Sequence, residues 1–253
     1  MGTWISHLRI AENLLPYLPG VDEVAFAYGS LAPDSGRPNA DWTAFDPPKE
    51  VTHFLYRGEG ENNIRDYLFY QQYLAPVMAS VDNLLYSFRL GYFFHLLSDS
   101  LWSRKIGTTT VKAYEKEISS DAGQAWDNIK ADWYGLDHLY VQARRECLFW
   151  RVIATGDWPP SRLPYISDAA YHQQLDYIRK FYSQPEPEWL APRRYPYLNG
   201  KTMERIIADS TNTLVQIWEQ HPCFEELSIS ETALTLLPDE ALQPYEMPLG
   251  DEL

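Results

Sequence analysis

Cysteine is nearly missing from this chain: its 253 residues include two, Cys147 and Cys223. Such a pair makes neither a disulfide framework nor a Cys-rich zinc site, so any bound metal must rest on histidine and carboxylates, and a reducing compartment is expected. Basic residues are also short, with 21 Lys and Arg against 35 Asp and Glu and a formal charge of −14. That balance repels a nucleic-acid backbone and an anionic leaflet, and no basic stripe or amphipathic basic helix offsets it. Neither nucleic acid nor a stable membrane association is therefore expected as a partner. The chain has no apolar run of about 18 residues, which is what a membrane-spanning helix needs. The opening MGTWISHLRIAENLL has no basic n-region and no long apolar h-region, so it does not read as a signal peptide and a cytoplasmic location is expected. Sustained strand alternation is missing too, and the fold class expected is all-α, a single-domain multi-helix bundle.

What is present fits that class. Hydrophobic residues make up 45% and charged residues 22%, the balance of an ordinary globular domain, which is placed over residues 1–227. The remainder, 228–253, reads as an acidic, Pro-containing tail whose end is expected to be disordered. Trp4, His7, Leu8, Ala11, Leu14 and Leu15 repeat at helical spacing behind Thr3, a good N-cap, and this turns His7 inward. Val21–Leu31 reads as a second helix, ended by Pro33 with Asp34 just beyond it in a turn composition. A long aperiodic stretch, Asp34–Val51, then delivers His53. Glu61–Ala79 and Val81–Trp102 read as two further helices, and Asp121–Trp150 as a longer one that carries Asp137 in its apolar stripe. His138 points about 100° away from that stripe and is expected at the surface. His172 and His221 look peripheral.

The most informative stretch is Gly91–Trp102, GYFFHLLSDSLW. His95 and Asp99 stand one helical turn apart, a bite that one ion can close, and Phe93, Phe94, Leu96, Leu97, Leu101 and Trp102 surround them with apolar surface. A carboxylate in such surroundings needs a cation or a hydrogen-bond network. With His7, Asp34 and His53 these residues make a set of nitrogen and oxygen donors suited to zinc, manganese, iron or nickel. One ion would use four of the five groups, and two ions could share Asp99. A His–Asp hydrogen bond between packed helices explains the His95/Asp99 pair equally well, and Asp137 is explained either by pairing with an Arg or Tyr hydroxyl or as a further ligand.

Four segments in this order carry a resemblance to a known family: WISHLRIAENLL, Gly29–Asp34, His53-Phe54 and the G-Y-x-x-H-L-x-x-D helix over Gly91–Asp99. They resemble the zinc-dependent phospholipase C family of all-helical bacterial enzymes, itself distantly similar to single-strand-specific nucleases. The later segment Asp132–Tyr140, DWYGLDHLY, looks like part of that family's cytosolic branch, with Asp137 the better match than His138. The resemblance implies metal roles for His7, Asp34, His53, His95 and Asp99, with Asp137 a further candidate metal ligand, and one or two zinc ions as cofactor. It also implies phosphoester hydrolysis by a metal-activated water, for which Asp34 is the candidate catalytic group. A small soluble phosphoester is the expected substrate, with Trp42, Phe54, Tyr92 and Tyr134 as candidate pocket walls. The rival expectation is a non-catalytic, metal-stabilised helical binding protein.

Overall fold

Helix packing is organised by the chain's most apolar helix, Asn83–Trp102, in which residues from Ser87 to Trp102 are almost continuously buried. A computed structural model describes residues 1–40, 44–58, 61–78, 81–157, 159–228 and 231–251. In chain order its helices are α1 (Trp4–Leu14), α2 (Glu23–Gly29), α3 (Lys49–Thr52), α4 (Asp66–Phe69), α5 (Ala75–Met78) and α6 (Asn83–Trp102). They continue as α7 (Thr108–Ala113), α8 (Glu115–Ser120), α9 (Ala122–Ala143), α10 (Asp168–Ser183), α11 (Pro187–Leu190) and α12 (Gly200–Glu219). The fold is all-α. Two short antiparallel pairs accompany the helices: β1 (Arg37–Pro38) with β2 (Phe45–Asp46), and β3 (Leu55–Gly58) with β4 (Glu61–Ile64). Among the described residues, no helix is long and apolar enough to cross a membrane.

Side-chain caps start the long helices where the sequence calls for them. Thr3 accepts from the Ser6 N–H while Ser6 reaches back to the Thr3 N–H, a reciprocal capping box that holds the entry to α1. Asp22, Asp82, Asp121, Ser167 and Asn199 cap α2, α6, α9, α10 and α12 by accepting a single backbone N–H each.

Two glycines let α2 and α6 cross almost backbone to backbone. A Cβ on Gly29 would lie 1.9 Å from the Phe88 carbonyl oxygen, and one on Gly91 would lie 2.2 Å from that of Phe26. Both are far inside van der Waals contact, so neither position admits a side chain without separating the helices.

Two expectations are corrected. The helix expected over Glu61–Ala79 starts at Asp66, because Glu61–Ile64 pairs with Leu55–Gly58 as a hairpin whose strands are too short to display an alternating pattern. Of the tail expected over 228–253, the described residues 231–251 are packed onto the helices, and its last two residues lie outside the described ones. Ala233, Leu234, Leu242, Tyr245 and Leu249 are buried. Buried Asp66 accepts from the Ala233 N–H and the Thr232 hydroxyl, and the Lys105 carbonyl accepts from the Tyr245 N–H. Acidic composition concealed an apolar residue every few positions, and the segment they anchor packs against α12 and bonds to Asp66 of α4.

Candidate metal centre

Five of the residues singled out in the sequence converge on one buried point. His7 comes from α1, His95 and Asp99 from α6, Asp34 from the 3-10 turn Ala32–Asp34 that follows α2, and His53 from the residue after α3. Asp99 is central. Its Oδ1 lies 3.3 Å from His7 Nε2, and its Oδ2 lies 3.4 Å from His53 Nε2 and 3.5 Å from His95 Nε2. Asp34 Oδ1 is 3.3 Å from His53 Nε2, and the Nε2 atoms of His53 and His95 are 3.4 Å apart. His7, His53, His95 and Asp99 are all but sealed from solvent, whereas the Asp34 side chain keeps 14% of its exposure.

These separations are informative in themselves. Charge-assisted N–H···O bonds settle at roughly 2.7–2.9 Å. Donors around a tetrahedral ion with bonds of about 2.0–2.1 Å stand about 3.3–3.4 Å apart, which is the spacing found here.

Hydrogen bonds on the far side of each ring then fix which nitrogen faces inward. His95 Nδ1 donates to the Ser30 carbonyl at 2.8 Å, leaving Nε2 toward the cluster. Ser98 has a single hydroxyl proton and gives it to the His95 carbonyl at 2.9 Å, so it can only accept from His7 Nδ1, also at 2.9 Å. His7 Nε2 therefore presents a lone pair. Thr52 Oγ1 stands 3.0 Å from His53 Nδ1, and the Thr52 carbonyl accepts from the Tyr92 hydroxyl. Phe54, directly after His53, takes the left-handed conformation with φ 51, held by ring contacts to Phe69, Tyr73 and Tyr165.

The electrostatics agree with this geometry. Burial holds His7 and His53 below the usual histidine range, so both are neutral. Burial opposes charge on Asp34 and Asp99 as well, but the surrounding imidazoles outweigh it and keep both carboxyls well below the usual carboxylate range. Burial likewise opposes protonation of His95, but Asp99 prevails and raises its pKa. Two buried anions thus face at most one cationic ring. His7 Nε2 and Asp99 Oδ2 have no hydrogen-bond partner, a costly state for buried polar atoms that a divalent ion would relieve. The residues fit such an ion. His7, His95 and Asp99 form one candidate donor group and Asp34, His53 and His95 another. Because His95 offers one Nε2 lone pair, a second ion would have to share Asp99, whose two oxygens face different imidazoles.

The other candidates lie apart. Asp137 is buried and accepts from the Tyr182 hydroxyl at 2.8 Å, and burial pushes its pKa up to about 7. No histidine pairs with it among the described residues, and its other carboxyl oxygen, Oδ1, has no hydrogen-bond partner there. His138 is fully buried, which corrects the expectation of a surface position. Phe181, Tyr182 and Trp189 from α10 and α11 enclose its ring, and burial lowers its pKa to about 4. A second packed face on α9 is what the single apolar stripe did not reveal. His172 and His221, both partly buried, contact the Pro159 and Trp218 carbonyls respectively.

Asp34 and His53 form one edge of a cleft of about 1160 Å³. Of the expected wall residues, Tyr134 lines it, Tyr92 is packed in the core on Phe69, Phe54 sits behind His53, and Trp42 lies outside the described residues. Four tryptophans also line it: Trp4, Trp102, Trp126 and Trp133. Three of these come from helices far apart in sequence, and the spacing of Trp126, Trp133 and Tyr134 along α9 was the only available signal. No protein-family model matches this chain, and no curated protein or solved structure matches it either.

Proposed function

We propose that this chain is a metal-dependent phosphoester hydrolase of the zinc-dependent phospholipase C type, holding one or two zinc ions and acting on a small soluble phosphoester rather than on membrane lipid. The observation that carries this reading is that the buried donor cluster reaches a large cleft through Asp34 and His53. A structural metal is closed off by its ligands, whereas a catalytic one keeps a position for water or substrate. That contrast favours catalysis over the rival reading of a metal-stabilised binding protein.

His7, His95 and Asp99 would hold the ion from the buried side, with His53 and Asp34 at the cleft edge. A bound divalent ion supplies Lewis acidity and brings the pKa of water from 15.7 toward about 7. Asp34 is the one carboxylate of the set with solvent access, and it is placed to accept a hydrogen bond from the attacking water and aim it. Its depressed pKa makes it an orienting acceptor more than a strong base. The tryptophans exclude water from the leaving-group side, and lysines along the cleft attract an anionic ester.

The test is elemental analysis of the purified chain, followed by turnover of p-nitrophenyl phosphate, bis-p-nitrophenyl phosphate and phosphatidylcholine vesicles with one metal at a time. Soluble esters should be cleaved and chelator should abolish the activity. Fast turnover of vesicles would refute the soluble substrate. No turnover of any ester by fully loaded protein would leave the non-catalytic reading.

A further inference from the structure

The cleft reverses the charge balance of the molecule. Its lining includes four cations, Lys49, Arg57, Lys112 and Lys130, and two carboxylates, Asp34 and Glu115, in a chain where acidic residues outnumber basic ones by 35 to 21. Arg57 is paired with Glu50 at 2.6 Å. Lys49 and Lys130 make no ion pair among the described residues, and the nearest partners of Lys49 are the Met1 sulfur at 3.8 Å and the Phe45 ring at 5.2 Å.

Each of these two lysines is tied to a functional wall. Lys49 opens α3, and its carbonyl accepts from the His53 N–H at 2.8 Å, so one helical turn separates a candidate metal ligand from a free ammonium. Lys130 lies on α9 between Trp126 and Trp133/Tyr134, and all four line the cleft. Their spacing of four, seven and eight residues puts them on one helical face.

We infer that Lys49 and Lys130 form an anion-binding subsite beside the metal cluster, and that the substrate is a phosphoester carrying a second anionic group on an aromatic or flat apolar body. The inference rests on the phosphoester reading, in which the phosphate itself goes to the metal edge at Asp34 and His53. A second anion on the substrate would then meet two ammonium groups that form no ion pair among the described residues, while its body lies on the tryptophan wall. Mutual repulsion is also visible: after burial, Lys49 is the next cause that lowers the Lys130 pKa. Asp127 offsets this repulsion in part, and an anionic group between the two lysines would relieve it further.

The experiment is calorimetric titration of the zinc-loaded full chain with two non-hydrolysable ligands, phenylphosphonate and 4-phosphonobenzoate, which differ by one carboxylate. Wild type should bind 4-phosphonobenzoate about tenfold more tightly, the scale of one charge-assisted contact. In the double variant Lys49→Gln/Lys130→Gln that ratio should fall to near one, because 4-phosphonobenzoate loses more affinity than phenylphosphonate, with no loss of melting temperature, since the substitutions relieve repulsion. Equal affinities in wild type, or a ratio that survives in the double variant, would overturn the inference. Chelator-stripped protein separates the two readings. If phenylphosphonate binds equally well without metal, the phosphoester reading fails while the ratio still scores the lysines, and failure of both ligands to bind loaded protein defeats both.

Discussion

Replacing Asp99 by Asn separates a metal centre from a plain ion-pair network. Asp99 Oδ1 accepts from the Gly2 N–H at 2.7 Å, and Oδ2 faces the Nε2 atoms of His53 and His95. An Asn keeps the first contact, and because it removes the charge that raises the His95 pKa, its amide N–H can donate to the Nε2 lone pair that His95 presents while Nδ1 is held by the Ser30 carbonyl. In chelator the variant should therefore be within about 1 kcal/mol of wild type, or more stable, because a buried charge has been replaced by a matched donor. If imidazolium–carboxylate attraction held the site together, removing one partner of these buried pairs would cost about 3–5 kcal/mol. The zinc response runs the other way. At free zinc a thousandfold above its Kd, wild type should gain about 4 kcal/mol. For a chain of this size that is a rise in melting temperature of about 8 °C or more. Asp99→Asn should lose most of the gain, since Asp99 contacts all three imidazoles. Thermal unfolding of both proteins near neutral pH, with chelator and with zinc, reads all four values. A wild type that ignores zinc, or a variant that loses more than about 2 kcal/mol in chelator, would refute the reasoning.

Three further outcomes follow from the surroundings of the cluster. Ser98→Ala removes the acceptor that fixes the His7 tautomer, and should weaken zinc affinity about 10-fold in a competition titration while the fold is retained. Gly91→Ala places a Cβ 2.2 Å from the Phe26 carbonyl oxygen; separating α2 from α6 should cost about 3 kcal/mol in urea unfolding and weaken zinc binding by drawing the Ser30 carbonyl away from His95. Asp66 is fully buried, and burial raises its pKa from 3.8 to about 6. Between about pH 4 and 6 the folded state holds this proton more tightly than the unfolded chain, so stability falls as pH rises through that window, by about 3 kcal/mol in total. Asp66→Asn should flatten that slope, which urea unfolding of both proteins across the window would measure.

Local spacing explains what was legible in the sequence. His95 and Asp99 lie one turn apart in an apolar helix, His7 sits on the inner stripe of α1, and Pro33 lies in the 3-10 turn that carries Asp34 past the end of α2. Each of these follows from helix periodicity or from the missing proline N–H, and the structure brings all three elements to one point. Features that depend on contact between distant segments were hidden. His138 is buried because α10 and α11 cover a second face of α9, and the residues after Ser228 are held by Asp66 and Lys105. The cleft's tryptophans belong to α1, α6 and α9, and nothing in the order of those helices announces that they share a wall. Gly91 was visible only as a letter in a motif, and its role emerges from the Phe26 carbonyl it must pass.

The cluster divides into two parts that the fold treats differently. His7, His95 and Asp99 sit on α1 and α6, whose side chains are locked by Ser98, by the Ser30 carbonyl and by helices crossing at glycine. Asp34 and His53 come from a 3-10 turn and from the end of a four-residue helix, and both line the cleft. Donors on rigid helices hold geometry within narrow limits, whereas donors on short connecting segments tolerate displacement. The buried half is therefore suited to set metal affinity and the cleft half to meet substrate. Substitutions at His7 or Asp99 should act first on metal content, and substitutions at Asp34 should act more on turnover, because of the two donors that line the cleft it is the one with the larger exposure.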